Sequence, residues 1–96
     1  MQIHEIRSII KDNGPYISKR FRAQIVGIFG SYARGEENKD SDIDILVRFK
    51  EGATLFDLVE LSEHLEELLG VPIDLVSERA LHPMIKDEVF REMVVL

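Results

Sequence analysis

Ile3, Ile6, Ile9 and Ile10 recur at the spacing of one helix face, and the triplet Asn13-Gly14-Pro15 ends that segment. A shorter helical stretch follows over 16–21. Residues 23–29 are rich in Ile, Val and Phe, which predicts a buried strand stopped at Gly30. Ser31 to Arg34 has room for one short helix closed by Gly35, and the polar residues 36–41 make a loop. A second strand is predicted over 42–49, around Ile43-Asp44-Ile45-Leu46-Val47, with Glu51-Gly52 as the turn behind it. The clearest helix covers 55–69, where Leu58, Leu61, Leu65, Leu68 and Leu69 share a face and Gly70 is the stop. A third strand is predicted over 71–76, with Pro72 tolerated near its start. A last helix over 83–91 takes Pro83 in its first turn, and 93–96 adds a short edge strand. Helices alternating with strands predict an α/β fold, a small mixed sheet covered by helices.

The 96 residues are expected to form one domain, 1–96, able to fold without disulfide or metal staples. There are no cysteines, which excludes disulfides, thiolate metal sites and cysteine nucleophiles. His4, His64 and His82 lie far apart and show no ligand spacing, so zinc is not expected. No apolar run approaches the length of a membrane span and the amino terminus lacks a signal-peptide pattern; a cytoplasmic protein without membrane contact is expected. Acidic residues outnumber basic ones, 18 to 12, for a formal net charge of -6. Lys19-Arg20-Arg22 is the only basic cluster, too small to hold a polyanion, so stable nucleic-acid binding is not expected. That balance suits a small anionic ligand carried in with metal, or a basic protein partner.

Two features carry chemistry. Asp42 and Asp44 stand two apart at the start of an apolar strand, so their side chains share one face. Crowded, partly buried carboxylates are costly unless paired or bound to metal. No lysine or arginine occurs in the strand before Arg48, and an all-oxygen donor set suits magnesium, with manganese as the alternative. The second feature is Gly30-Ser31 at a strand end. Glycine permits close backbone approach, a helix start offers free amides to phosphate, and the Ser31 hydroxyl adds a donor. Asp74 interrupts the third strand and would join the two aspartates if that strand lies beside the second, or face solvent if it lies at an edge. Asp40, Asp42, Asp44 and Glu51 fit the spacing of a calcium loop, but Ile45 stands where that loop needs glycine, which excludes it. Tyr32 is expected to pack rather than react, and Phe90, Met93 and Val94 to belong to the core rather than to an interface.

Gly30-Ser31-Tyr32-Ala33-Arg34-Gly35, followed by Ser41-Asp42-Ile43-Asp44-Ile45-Leu46-Val47, resembles the signature of the DNA polymerase beta-like nucleotidyltransferase superfamily. In length the chain is similar to its minimal bacterial and archaeal members. The resemblance implies a nucleotidyltransferase fold and transfer of a nucleoside monophosphate, AMP from ATP, to an acceptor hydroxyl with release of pyrophosphate. It implies phosphate binding by Gly30, Ser31 and Arg34, magnesium binding by Asp42 and Asp44, and Asp74 as the third carboxylate of a catalytic and metal-binding trio. It also implies a partner, since minimal members are often antitoxins of HEPN-domain ribonuclease toxins and modify a toxin tyrosine. The alternative is a non-catalytic antitoxin of the same fold that neutralises its partner by occlusion.

Overall fold

The computed structural model describes all residues, Met1–Leu96. Helix α1 (Ile3–Asp12) starts where the Glu5 carboxylate accepts the Gln2 N–H, at 3.1 Å, and it buries Ile6 and Ile10. Asn13 interrupts it for one residue, with its side-chain amide donating to the Ile9 carbonyl. Helix α2 (Gly14–Phe21) then begins at once, with Pro15 in its first turn. The Asn-Gly-Pro triplet therefore ends one helix and starts the next, because the proline that cannot continue α1 suits a first turn.

Four strands form one mixed sheet: β1 (Ala23–Phe29), β2 (Ile43–Phe49), β3 (Ile73–Ser77) and β4 (Val94–Val95), in the order β3-β2-β1-β4. β1 runs antiparallel to both neighbours, and β2 runs parallel to β3. The parallel pair needs a crossover, which α4 (Leu55–Leu69) supplies. α4 is capped where the Asp57 carboxylate accepts the Thr54 N–H, and it ends on Gly70 at φ 69°. Its leucine face divides: Leu61, Leu65 and Leu69 are buried, whereas Leu58 and Leu68 pack at the margin. The predicted starts of β2 and β3 move inward, to Ile43 and Ile73, because the Ile43 N–H donates to the Pro72 carbonyl at 2.9 Å as the first contact of the pair, and β3 runs one residue further than predicted, to Ser77.

Central strand β2 feeds both faces. Ile43, Ile45 and Val47 join a core of thirteen buried residues with α1, α2 and α4, while Leu46 on the other side joins a smaller cluster whose other buried members are Leu81 and Val89. That second face is covered by α5 (Pro83–Glu92) and by a single 3-10 turn at Glu78–Ala80 that the sequence did not announce. Phe90 and Met93 pack there, as expected of core residues. One face of the sheet is thus thickly covered and the other thinly. By strand alternation Asp44 and Asp74 fall on the thin face, which keeps carboxylates out of the main core. No helix is long and apolar enough to cross a membrane.

Candidate active site

Asp44 is the centre of the site. Its neighbours across the sheet are Phe29 on β1 and Asp74 on β3, since the registers pair Asp44 with both. The Asp44 carboxyl is pushed up to about 6, first by burial, then by the charge of Asp74 and a hydrogen bond shared with it, then by the charge of Asp42. Arg34 is close enough to oppose this, but it is the weakest influence. Burial and two like charges together outweigh one cation, so the Asp44 carboxyl retains its proton above the usual carboxylate range.

Gly30 follows β1 directly, at φ 74° and ψ -151°, a conformation open in practice only to glycine. A Cβ there would also collide with the Asp44 carboxylate. The two residues are fitted to each other: absence of a side chain at position 30 is what admits the acid at position 44. A β-bulge in β1 between Ile25 and Gly27 sets this contact. The extra residue shifts the alternation, so that Ile28 enters the main core opposite Ile45 and Phe29 comes opposite Asp44.

Helix α3 (Ser31–Arg34) is a single turn. Its first internal bond runs from the Arg34 N–H to the Gly30 carbonyl, at 3.1 Å, so the amides of Ser31, Tyr32 and Ala33 have no acceptor within the helix. Tyr32 is buried, as its packing role requires. Arg34 projects to solvent and forms ion pairs with Glu36 and with Glu92 of α5, both at 3.3 Å, and these raise its pKa. Glu92 carries no mark in the sequence, lying 58 residues from its partner. Glu36 does lie close by, two residues on.

Asp42 is the one aspartate placed differently from expectation. It is exposed and precedes β2 instead of opening it. A polar turn delivers it, in which the Ser41 hydroxyl accepts the Asn38 N–H and the Asn38 side chain accepts the Asp40 N–H. Asp44 and Asp74 are therefore in contact, whereas Asp42 acts on Asp44 through its charge. No three His, Asp or Glu side chains close on a single point. This donor set fits a magnesium-type cation, which usually takes one or two carboxylates and completes its shell with water and substrate phosphates. It does not fit zinc, and the histidines lie elsewhere: His82 caps α5 by accepting the Met84 N–H, and His64 packs between Tyr16 and Phe21.

A paired acid on parallel strands beside a Gly-Ser turn, on a four-stranded mixed sheet, is the arrangement in which the nucleotidyltransferase class is to be sought. The family model for the nucleotidyltransferase domain matches residues 3–96, and this chain belongs to that family. It is 44% identical over 94 residues to the protein adenylyltransferase MntA of Thermococcus cleftensis, covering 98% of this chain and 95% of that one. A solved structure described as a minimal nucleotidyltransferase superposes with a TM-score of 0.83 at 44% identity, covering 100% of this chain and 97% of the other. A toxin-antitoxin structure with AMP-PNP matches with a TM-score of 0.69 at 27% identity, over 96% of this chain and 69% of that one.

Proposed function

We propose that residues 1–96 act as a single nucleotidyltransferase domain that moves AMP from magnesium-ATP to a hydroxyl on a HEPN-domain toxin, and so serves as its cytoplasmic antitoxin. The support is the contact of Asp44 with Asp74 beside Gly30, together with the likeness to a protein adenylyltransferase and to a toxin-antitoxin structure with AMP-PNP.

Asp42 and Asp44 would hold magnesium, or manganese in its place, and Asp74 would complete the set. When bound, the cation supplies charge neutralisation for the triphosphate and polarises the phosphorus under attack. The chain's own groups do the rest. The Gly30-Ser31 turn binds phosphate oxygens through its free amides and the Ser31 hydroxyl, and Arg34 adds a cation once it exchanges a carboxylate partner for phosphate. Asp74 accepts the proton of the acceptor hydroxyl. The oxygen then bonds to the α-phosphorus as the bond to the bridging oxygen breaks, and pyrophosphate departs with that electron pair. Asp44 would hold the cation as the carboxylate, its proton released to solvent.

The test is Asp74→Ala, with ATP affinity and transfer of labelled AMP to the cognate HEPN protein measured on one preparation. Binding should persist while transfer falls by ~10²–10⁴-fold, the usual contribution of a positioned base. Transfer at the parental rate would remove Asp74 from the chemistry. Inhibition of the toxin by parent and variant alike, with no AMP transferred by either, would establish occlusion instead.

A further inference from the structure

β3 is the outer strand of the sheet, so one row of its backbone groups has no partner within the sheet. The Ile43 N–H bonds to the Pro72 carbonyl and the pairing is parallel, in register Asp44 with Asp74. Parallel pairing alternates, turning the backbone of Asp74 and Val76 inward to β2 and leaving that of Ile73 and Leu75 on the free edge. Beside this edge lies a groove of about 310 Å³, whose far wall is Leu58, Val59, Ser62 and Glu63 of α4 and whose near wall is the edge itself, Asp74 included. The groove therefore reaches the strand edge that carries Asp74, on the face of the sheet opposite its carboxylate.

Its helical wall is unusual for a free surface. Leu55, Phe56 and Val59 are exposed, Phe56 by 78%, and share the α4 face that continues into Ser62 and Glu63. Glu63, Glu66 and Glu67 form no ion pair, whereas Glu60 on the same helix is held by Arg20 at 2.9 Å. Apolar at one end and acidic at the other, next to an unpaired strand edge, this surface has the features that capture an extended basic-apolar segment.

We propose that the free edge of β3 and the adjoining face of α4 dock a segment of the acceptor protein as an added strand, with its hydroxyl-bearing residue opposite Asp74. This rests on the transfer reading above for the identity of the occupant. Alternation along such a strand decides what fits. The residue opposite Asp74 projects to the thin face of the sheet, where the acids are, and its two neighbours project to the α4 side, against Leu58 and Val59. Because the Asp74 backbone is turned inward, this is a non-hydrogen-bonded position, where side chains of an antiparallel pair come closest, ~4.5 Å between Cα atoms. The acceptor sequence is therefore a hydroxyl residue between two apolar ones, with a lysine or arginine reaching Glu63.

Hydrogen exchange on the complex with the HEPN-domain protein from the same organism reads the docking without relying on transfer. The amides of Ile73 and Leu75 should exchange at least tenfold more slowly when the partner is bound. The double variant Val59→Lys, Glu63→Lys alters only exposed wall residues. It should keep its melting temperature and ATP affinity while losing at least tenfold in partner affinity and showing no protection at Ile73 and Leu75. A partner that binds without protecting these amides, or binds the double variant as tightly as the parent, overturns the docking mode. Protection that appears in the isolated chain and grows with its concentration assigns the edge to self-association and also overturns it. Protection by the partner with no AMP transferred supports the docking surface while refuting the transfer reading, so the two fail separately. Absence of any binding overturns both.

Discussion

Asp44 and Gly30 show how much one residue can depend on another. The acid is tolerable because it lies on the thinly covered face, and it fits because position 30 has no side chain. Its raised pKa has a thermodynamic consequence. The folded state binds this proton more tightly than the unfolded chain, whose carboxyl titrates near ~4. The stabilisation is complete below that value and is lost as pH rises through about 6. In chelator, Asp44→Asn should therefore melt higher than the parent at pH 7.5, and the difference should shrink toward pH 5. Thermal denaturation of both proteins across that interval checks this; a variant less stable at pH 7.5 would reveal a structural partner for the Asp44 carboxylate. Transfer activity should be abolished in the same variant, because the amide oxygen is a poorer cation ligand.

At the scale of elements, the site is an agreement among a bulge, a one-turn helix and a strand pair. α3 is too short to be stable alone and holds its shape because Tyr32 is buried and Gly35 closes it at φ 73°. Its exposed amides and the Ser31 hydroxyl are consequently presented at a fixed place after β1. Ser31→Ala should weaken triphosphate binding by ~1.5–3 kcal/mol, the worth of a hydrogen bond to a charged group. Calorimetric titration with a non-hydrolysable ATP analogue measures it, and unchanged affinity would return Gly30-Ser31 to an ordinary turn. This element was legible in the sequence because Gly-Ser-x-x-x-Gly brackets a single turn. The Arg34–Glu92 ion pair was not, since nothing in either residue's neighbourhood specifies that α5 returns to the end of α3.

For the whole molecule, the carboxylate pair and the Gly30-Ser31 turn stand on different elements, and in the proposed site each would hold only part of the ligand. Magnesium and ATP together should raise the melting temperature by more than the sum of their separate effects, because a ligand that bridges both parts binds the folded state alone. Equal affinity for ATP with and without chelator would exclude a metal-bridged site. The net charge of -6 also belongs to this scale: it suits a basic protein partner and explains why the anionic ligand is expected to arrive with a cation.

The amino-acid order alone determined the helices and strands, the α/β class and the candidate site residues, because hydrophobic period, capping and turn residues are local signals, while the 3-10 turn at Glu78–Ala80 was not among them. Asp42, Asp44 and Asp74 could be singled out on the same basis, as charges interrupting apolar runs. Their arrangement was not local. Only the tertiary structure decided that β3 lies parallel to β2 with Asp74 opposite Asp44, that Asp42 falls outside the ladder, and that a bulge brings Gly30 against the acid. Strand order and register are set by which apolar faces the helices cover, and a one-residue shift in either strand would turn its acid into the main core.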